Sequence, residues 1–235
     1  MRQVFLDTET TGLDAANGDR IVEIACIEMV DRRQSGRRLH HYLNPQRSSH
    51  PDALRVHGLT DDFLADKPLF AAVADELLAF VAGAEVVIHN AGFDIGFINA
   101  ELDRVGLPRF AEHAERITDS LTLARELFPG KHNSLDALCK RLEVDSSQRE
   151  LHGALLDAGL LAEVYLRMTR GQKSLVIDSD DDGVGQRADE SLDLRHFDLP
   201  VLHAGEDEAE AHEAVLADID AASKGRTVWR QTAPA

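Results

Sequence analysis

The chain has 235 residues, 43% hydrophobic and 29% charged, a composition typical of a soluble globular protein with one domain and an appendage. Its net charge of −17 argues against a general electrostatic grip on duplex nucleic acid, although bound metals can offset acidic groups locally. Two cysteines exclude a disulfide framework. Without a membrane-length apolar run or a signal peptide, we expect a cytoplasmic protein with no membrane partner.

The hydrophobic pattern of residues 1–170 predicts a single α/β domain. Three closely spaced strands come first and predict an antiparallel meander. The strands and helices that follow predict a mixed, partly parallel sheet with helices on both faces. The predicted strands cover residues 4–7, 21–30, 37–45 and 85–90, and the predicted helices cover residues 52–58, 68–83, 93–106, 121–129, 134–142 and 154–168.

The composition changes after residue 170. Residues 177–193 are acidic and poor in large apolar side chains, which indicates a flexible linker. Residues 206–222 then show a helical pattern, but the C-terminal pieces are too few to build a core alone. We therefore divide the chain into a domain (1–170), a linker region (171–198) and a C-terminal segment (199–235) that needs a partner surface or the main domain.

Two acidic residues, Asp7 and Glu9, end the first predicted strand. Because side chains alternate along a strand, both carboxylates face the same side, where they suit a hard divalent cation. Solvated acids at a strand boundary are the ordinary alternative. The following residues, 10–12, end in a glycine, and we expect a tight turn whose exposed amides can meet a sugar or a phosphate.

A third acid, Asp94, lies in the first turn of the helix that follows strand 85–90. The carboxyl end of a central strand is where open α/β sheets carry their sites. The ordinary alternative is an acid that complements the helix dipole, and we expect Asn90 to cap this helix.

His152 and Asp157 form an H-x4-D pattern at the start of the last helix of the domain. A histidine at this position is commonly a surface or capping residue. Asp157 interrupts a string of leucines, so it needs a metal or a hydrogen-bonding partner. Carboxylates without a cysteine cluster favour Mg²⁺ or Mn²⁺, and a nearby histidine suits a general base, which together indicate phosphodiester hydrolysis.

Three motifs occur in a recognisable order. DTETTG (7–12), HNAGFD (89–94) and the H-x4-D pattern (152–157) resemble the three motifs of the DEDDh 3′→5′ exonucleases, and RVHGLT (55–60) resembles a further segment of that family. The resemblance covers about residues 2–170 and implies a ribonuclease-H-like fold and release of nucleoside 5′-monophosphates from a 3′ end.

The resemblance also implies roles for the acidic residues. Asp7, Glu9 and Asp157 hold one of two divalent ions and contribute to substrate binding. Asp7 also bridges to the second ion with help from Asp94, and His152 accepts a proton from the attacking water.

Four more residues are implied in contacts with the 3′ end of single-stranded or frayed DNA. Thr10 and Leu13 are expected near the terminal nucleotide, and His57 and Phe93 against frayed bases. Leu13 and Phe93 are equally compatible with a place in the core.

Within the family, the chain resembles the proofreading subunits of bacterial DNA polymerase III. Residues 172–177 resemble a sliding-clamp-binding peptide, although Ile177 stands where Phe or Leu is common. Residues 199–235 resemble the segment that binds the polymerase catalytic subunit, and a solvated acidic extension is the alternative. The resemblance implies a bacterial, nucleoid-associated protein. The implied clamp contacts are Gln172, Ser174, Leu175 and Ile177.

Two other functions stay open at this point. An RNase T-like or oligoribonuclease-like enzyme acting on RNA has the same catalytic residues, so only the clamp-like peptide and the long tail favour DNA. An inactive scaffold between polymerase and clamp is the second alternative, against which the complete set of acids and histidine argues.

Overall fold

The computed structural model describes residues 1–147, 151–170 and 204–223. The first two ranges belong to one compact unit and the third to another, so each unit is described by itself. The strands are β1 (Arg2–Thr10), β2 (Ile21–Val30), β3 (Arg33–Tyr42), β4 (Glu85–Ile88) and β5 (Arg116–Asp119). The helices are α1 (Pro51–His57), α2 (Asp61–Leu64), α3 (Phe70–Val81), α4 (Ala91–Val105), α5 (Ser120–Leu127), α6 (Leu135–Arg141), α7 (Ala154–Met168) and α8 (Glu206–Ser223), with single 3₁₀ turns at Ala15–Asn17 and Phe110–Glu112.

The five strands form one mixed sheet in the order β3-β2-β1-β4-β5. The first three strands form the predicted antiparallel meander, and β4 and β5 add to it in parallel with β1. The predicted mixed sheet is therefore confirmed. Strand β5 is an addition to the prediction, because four residues with one large apolar side chain carry no periodicity.

The sheet is covered by helices on both faces, and β1 shows how. Val4 and Leu6 enter a cluster with residues of α3 and α4, whereas Phe5 enters a second cluster with residues of α6 and α7. This follows from the period of two along a strand. Burying each such side chain stabilises the fold by about 1.5–3 kcal/mol, so β1 is anchored from both sides.

Most bounds differ from the predictions by a few residues, and two of the differences have a clear physical reason. Strand β3 begins at Arg33 rather than at residue 37, because its first residues are exposed and polar at the sheet edge. Helix α2 was not predicted: it has four residues, and Thr60 Oγ1 accepts the Phe63 amide to cap it. In contrast, β2 and α7 have the predicted bounds.

The second unit contains α8, where the sequence predicts a helix over residues 206–222. The predicted linker and the segment after Ser223 lie outside the described residues. Among the described helices, none combines the length and the apolar character needed to cross a membrane.

Candidate active site

The structure brings the five predicted catalytic residues into one cavity of about 240 Å³. Asp7 and Glu9 lie on β1, the central strand of the sheet. Asp94 enters from the first turn of α4, which directly follows β4. His152 and Asp157 come from the start of α7, which packs against β1 and β2. The carboxyl ends of the parallel strands β1 and β4 meet at one edge of the sheet, which explains why distant segments converge there.

Glu9, His152 and Asp157 form the tightest group in this cavity. One ligand atom from each lies within 4.8 Å of the other two. His152 Nδ1 is 3.5 Å from Asp157 Oδ2, and the His152 side chain is 43% exposed while that of Asp157 is 5% exposed. The His152 amide donates to the carbonyl of Val56 in α1, at 3.1 Å. The RVHGLT segment therefore holds the backbone of the H-x4-D segment.

Asp94 is 4% exposed and accepts a hydrogen bond of 2.7 Å from Thr8 Oγ1. Burial raises the pKa of Asp94 to about 7, against the opposing effect of the Thr8 hydrogen bond. A nearby cation would restore the charged carboxylate. Thr8 was not predicted as part of the site, although its place between the two acids of the first motif is a usable signal.

Asn90 does not cap α4 in the way the sequence predicts. It occupies the N-cap position in the left-handed region, with φ 66° and ψ 51°, and its side chain makes no capping hydrogen bond. Its backbone N–H instead donates a hydrogen bond to Asp119 Oδ1 at 3.0 Å. A non-glycine residue held in this region stores strain, and such residues cluster at functional sites. Asn90 lines the cavity of the five catalytic candidates, which we call the metal cavity after its candidate ligands.

The donor atoms of the cavity fit a hard divalent cation. They are mainly carboxylate oxygens, with the imidazoles of His89 and His152, and both cysteines of the chain are buried outside this cavity. Carboxylates of this kind are the ligands that Mg²⁺ and Mn²⁺ prefer. Burying several like charges side by side is unfavourable, so a cation here also relieves their repulsion.

A larger cleft of about 940 Å³ adjoins the metal cavity, and the two share Thr8, Glu9 and Phe93. The four residues predicted to contact the terminal or frayed nucleotides all line this cleft, namely Thr10, Leu13, His57 and Phe93. Leu13 is 85% exposed, which excludes the core alternative for it. Phe93 is partly buried at the edge of a core cluster, so its ring borders both the core and the cleft.

His57 lines this cleft, but its ring is largely buried. Its Nδ1 accepts the Leu59 amide at 2.9 Å, so the proton of the neutral ring is on Nε2. Burial lowers the pKa of His57 and keeps the ring neutral near pH 7. Nε2 is buried, and an interaction with the Thr10 backbone partly opposes the lowering of the pKa.

The turn after Glu9 differs from the expectation of exposed amides. Thr11 is fully buried, and its amide donates to the Arg20 carbonyl at 2.8 Å. Gly12 is required because a Cβ there would lie 2.3 Å from Asp19 Oδ2. The glycine therefore permits close packing rather than phosphate binding.

Sequence reasoning missed several side chains that line the metal cavity: Thr8, His89, Asn90, Ser134, Leu135 and Asp136. They come from three different segments, and only Asn90 drew attention as a cap. The four predicted clamp contacts, Gln172, Ser174, Leu175 and Ile177, lie outside the described residues.

The comparisons with known proteins agree with this geometry. The exonuclease family model (RNase_T) matches residues 4–165. The chain is 47% identical to DNA polymerase III subunit epsilon of Salmonella typhimurium (strain LT2) over 238 residues, which covers 97% of each chain. Among solved structures, exonuclease X in complex with 5′-overhanging duplex DNA has 28% identity and a TM-score of 0.55, with 72% of this chain and 92% of that one covered.

Exonuclease I has a TM-score of 0.63 at 19% identity, with 73% of this chain and 42% of that one covered, and it supports the ribonuclease-H-like fold. The chain therefore belongs to the exonuclease family and, within it, to the DNA polymerase III epsilon subunits.

Proposed function

We propose that this 3′→5′ exonuclease removes mismatched nucleotides from the 3′ end of DNA as the proofreading subunit of the replicative polymerase. The observation that carries the proposal is the convergence of the three motifs in one acidic cavity next to a larger, partly apolar cleft. A frayed terminal nucleotide has the composition that such a pair of cavities accepts, namely an apolar base and a charged phosphodiester.

The exonuclease family uses divalent metal ions, and two Mg²⁺ or Mn²⁺ ions are the proposed cofactors. Asp7, Glu9 and Asp157 would hold one ion, and Asp7 with Asp94 the other. Bound ions supply Lewis-acid stabilisation of the pentavalent transition state. Thr8 is then a positioning residue, because its hydroxyl donates a hydrogen bond to Asp94 Oδ1 and so orients the Asp94 carboxylate.

His152 is the proposed general base. It lies 3.5 Å from Asp157, and its exposed ring can take up a proton from the attacking water and pass it to solvent. The Val56 carbonyl accepts a hydrogen bond from the His152 backbone N–H, which fixes the position of His152 in the cavity. His57 and Phe93, which both line the larger cleft, orient the terminal nucleotide through ring contacts.

The remaining partners are proposed from the resemblance of the tail and from the relatives. Residues 1–170 are the exonuclease domain, 171–198 carry the clamp-binding peptide and a linker, and 199–235 bind the DNA polymerase III catalytic subunit. Such tethering raises the effective concentration of the exonuclease at the primer end, so a net charge of −17 need not prevent its action on DNA. For the same reason, we propose that the protein acts at the bacterial nucleoid.

The proposal is tested with a 5′-labelled DNA primer carrying a 3′ mismatch, and with RNA of the same sequence. We expect a ladder of shortened DNA with Mg²⁺ or Mn²⁺ and none with chelator. Faster hydrolysis of RNA than of DNA would instead assign the chain to RNA processing. Hydrolysis of neither would leave a scaffold between polymerase and clamp.

A further inference from the structure

The residue before the proposed general base is a leucine that packs on a glycine. Leu151 is 52% exposed and directly precedes His152. A Cβ on Gly58 would lie 2.7 Å from Leu151 Cδ1, so the leucine methyl occupies the space that a side chain at residue 58 would need. Exposed leucines are ordinary on a protein surface, but this one is packed against backbone beside His152.

Gly58 can accept this contact because of its place at the end of α1. It is the C-cap of α1 in the left-handed region, with φ 72°, and its backbone N–H donates to the Leu54 carbonyl at 2.8 Å. Glycine adopts this conformation without steric cost. Helix α1 therefore ends in a hydrogen-bonded turn with room for Leu151 against it.

The backbone of His152 is attached to the same end of α1. Its N–H donates to the carbonyl of Val56, two residues before Gly58, at 3.1 Å. Residues 151 and 152 thus contact α1 side by side, one by packing and the other by a hydrogen bond. A single hydrogen bond lets a segment pivot about it, whereas a second contact one residue away restricts that rotation.

Helix α7 does not by itself set the position of His152. The helix begins at Ala154, and its N-cap is Gly153, which has no side chain and makes no side-chain capping hydrogen bond. Asp157 is within the helix, but His152 precedes it by two residues. The separation of 3.5 Å between His152 Nδ1 and Asp157 Oδ2 therefore depends on α1 as well as on α7.

The end of α1 also borders the larger cleft, through Ala53, Val56 and His57. One element thus lines the proposed site of the terminal nucleotide and holds the segment that carries the general base. A shift of residues 151–152 on α1 would change the distance between the imidazole and the scissile bond.

We propose that Leu151 is a positioning residue for hydrolysis, whose contact with Gly58 keeps the His152 imidazole where it accepts the proton of the attacking water. The inference rests on the proposed function. Leu151 lines neither the metal cavity nor the larger cleft, so its effect passes through His152. Because a displacement of about 1 Å can cost about 100-fold in rate, a partial displacement is expected to cost about tenfold.

The test follows 5′-labelled oligothymidylate with Mn²⁺ and the full-length protein in excess. The plateau rate constant of the first cleavage then reports chemistry, and the protein concentration at half of the plateau reports binding. For Leu151→Ala, we expect the plateau to fall by about tenfold and the half-saturating concentration to stay within about twofold. Leu151→Met keeps a long apolar side chain and should recover most of the rate.

The matched control removes another exposed leucine. Leu69 is 40% exposed and lines neither the metal cavity nor the larger cleft. Leu69→Ala should keep the wild-type plateau. An equal loss of rate in Leu69→Ala would overturn the inference.

A second comparison repeats Leu151→Ala in the His152→Gln background. An effect that passes through the imidazole cannot lower the rate again once the imidazole is absent, so the double variant should match His152→Gln. A general loss of structure would instead lower the rate by the same factor in both backgrounds.

Gly58→Ala approaches the contact from its other side. The new Cβ displaces Leu151, so the plateau should fall as it does in Leu151→Ala. The strain of alanine in the left-handed region lowers the free energy of unfolding, which urea titration measures separately. In the Leu151→Ala background the methyl is already absent, so Gly58→Ala should cause little further loss of rate.

An unchanged plateau in Leu151→Ala, or the same further loss in the His152→Gln background, would overturn the inference and leave the proposed function intact. If the wild-type protein with Mn²⁺ does not shorten the oligonucleotide, the proposed function itself fails. The two failures are therefore distinguishable.

Discussion

The close packing under Gly12 makes a strong prediction for the variant Gly12→Ala. The new Cβ would lie 2.3 Å from Asp19 Oδ2, whereas ordinary contacts begin near 3.4 Å, so the buried carboxylate must withdraw by about 1.1 Å. At present Asp19 accepts hydrogen bonds of 3.1 Å from both Thr11 Oγ1 and the Asp14 amide, and pairs with Arg47 at 3.2 Å. A displacement of this size disrupts all three contacts.

Each lost hydrogen bond costs about 1 kcal/mol, so Gly12→Ala should lower the free energy of unfolding by about 2–3 kcal/mol. Urea denaturation measures this directly. The control is Gly96→Ala in α4, where a Cβ meets nothing within 4 Å and helix propensity predicts a gain of about 0.5–1 kcal/mol.

A double-variant cycle identifies the cause. In the Asp19→Ala background only the exposed ring of His50, whose Cδ2 lies 2.6 Å from the new Cβ, still has to move, so Gly12→Ala should cost less than it does alone. Thr10 Oγ1 donates to the Gly12 carbonyl at 2.6 Å, so the single variant should also raise KM for oligonucleotides. Wild-type stability for Gly12→Ala, within about 0.5 kcal/mol, would refute the reasoning.

Three further predictions concern charge. Glu101→Gln breaks a buried bidentate pair with Arg20, at 2.6 and 2.7 Å, and should lower the free energy of unfolding by about 3 kcal/mol in urea titrations. Burial raises the pKa of Glu85, but hydrogen bonds led by that of Thr118 outweigh burial and leave the pKa below its usual value. The stabilisation by ionised Glu85 is therefore complete above the pKa of the unfolded state and is lost as the pH falls through the pKa of the folded state. Glu85→Gln should accordingly reduce the loss of unfolding free energy as the pH falls below about 4.5. The same loss in the variant as in the wild type would contradict this. Millimolar Mn²⁺ should raise the melting temperature of the wild-type protein but not of Asp157→Asn, because the ion binds only the folded cluster; scanning calorimetry with and without chelator checks this.

The sequence predicted those parts of the fold that have long apolar patterns. Strand β2 and helix α7 have the predicted bounds because both bury most of their residues. The short strand β5 carries too little pattern, and the first residues of β3 are polar at a sheet edge. Their place depends on pairing with neighbouring strands, which local sequence does not encode.

The same distinction holds at the site. The motifs predicted which acids converge, since their types and spacing carry that information. The left-handed Asn90 and the Thr8–Asp94 hydrogen bond depend on contacts between distant segments.

The central claim is that the acidic cluster with His152 hydrolyses DNA from its 3′ end. The most direct measurement follows 5′-labelled single-stranded DNA over time with Mn²⁺, for the wild-type protein, Asp157→Asn and His152→Gln, with circular dichroism to confirm folding. The account predicts stepwise shortening and nucleoside 5′-monophosphates for the wild type, and a loss of about 100-fold or more for each folded variant. Wild-type rates in folded Asp157→Asn, or release of the 5′ label as the first product, would contradict it.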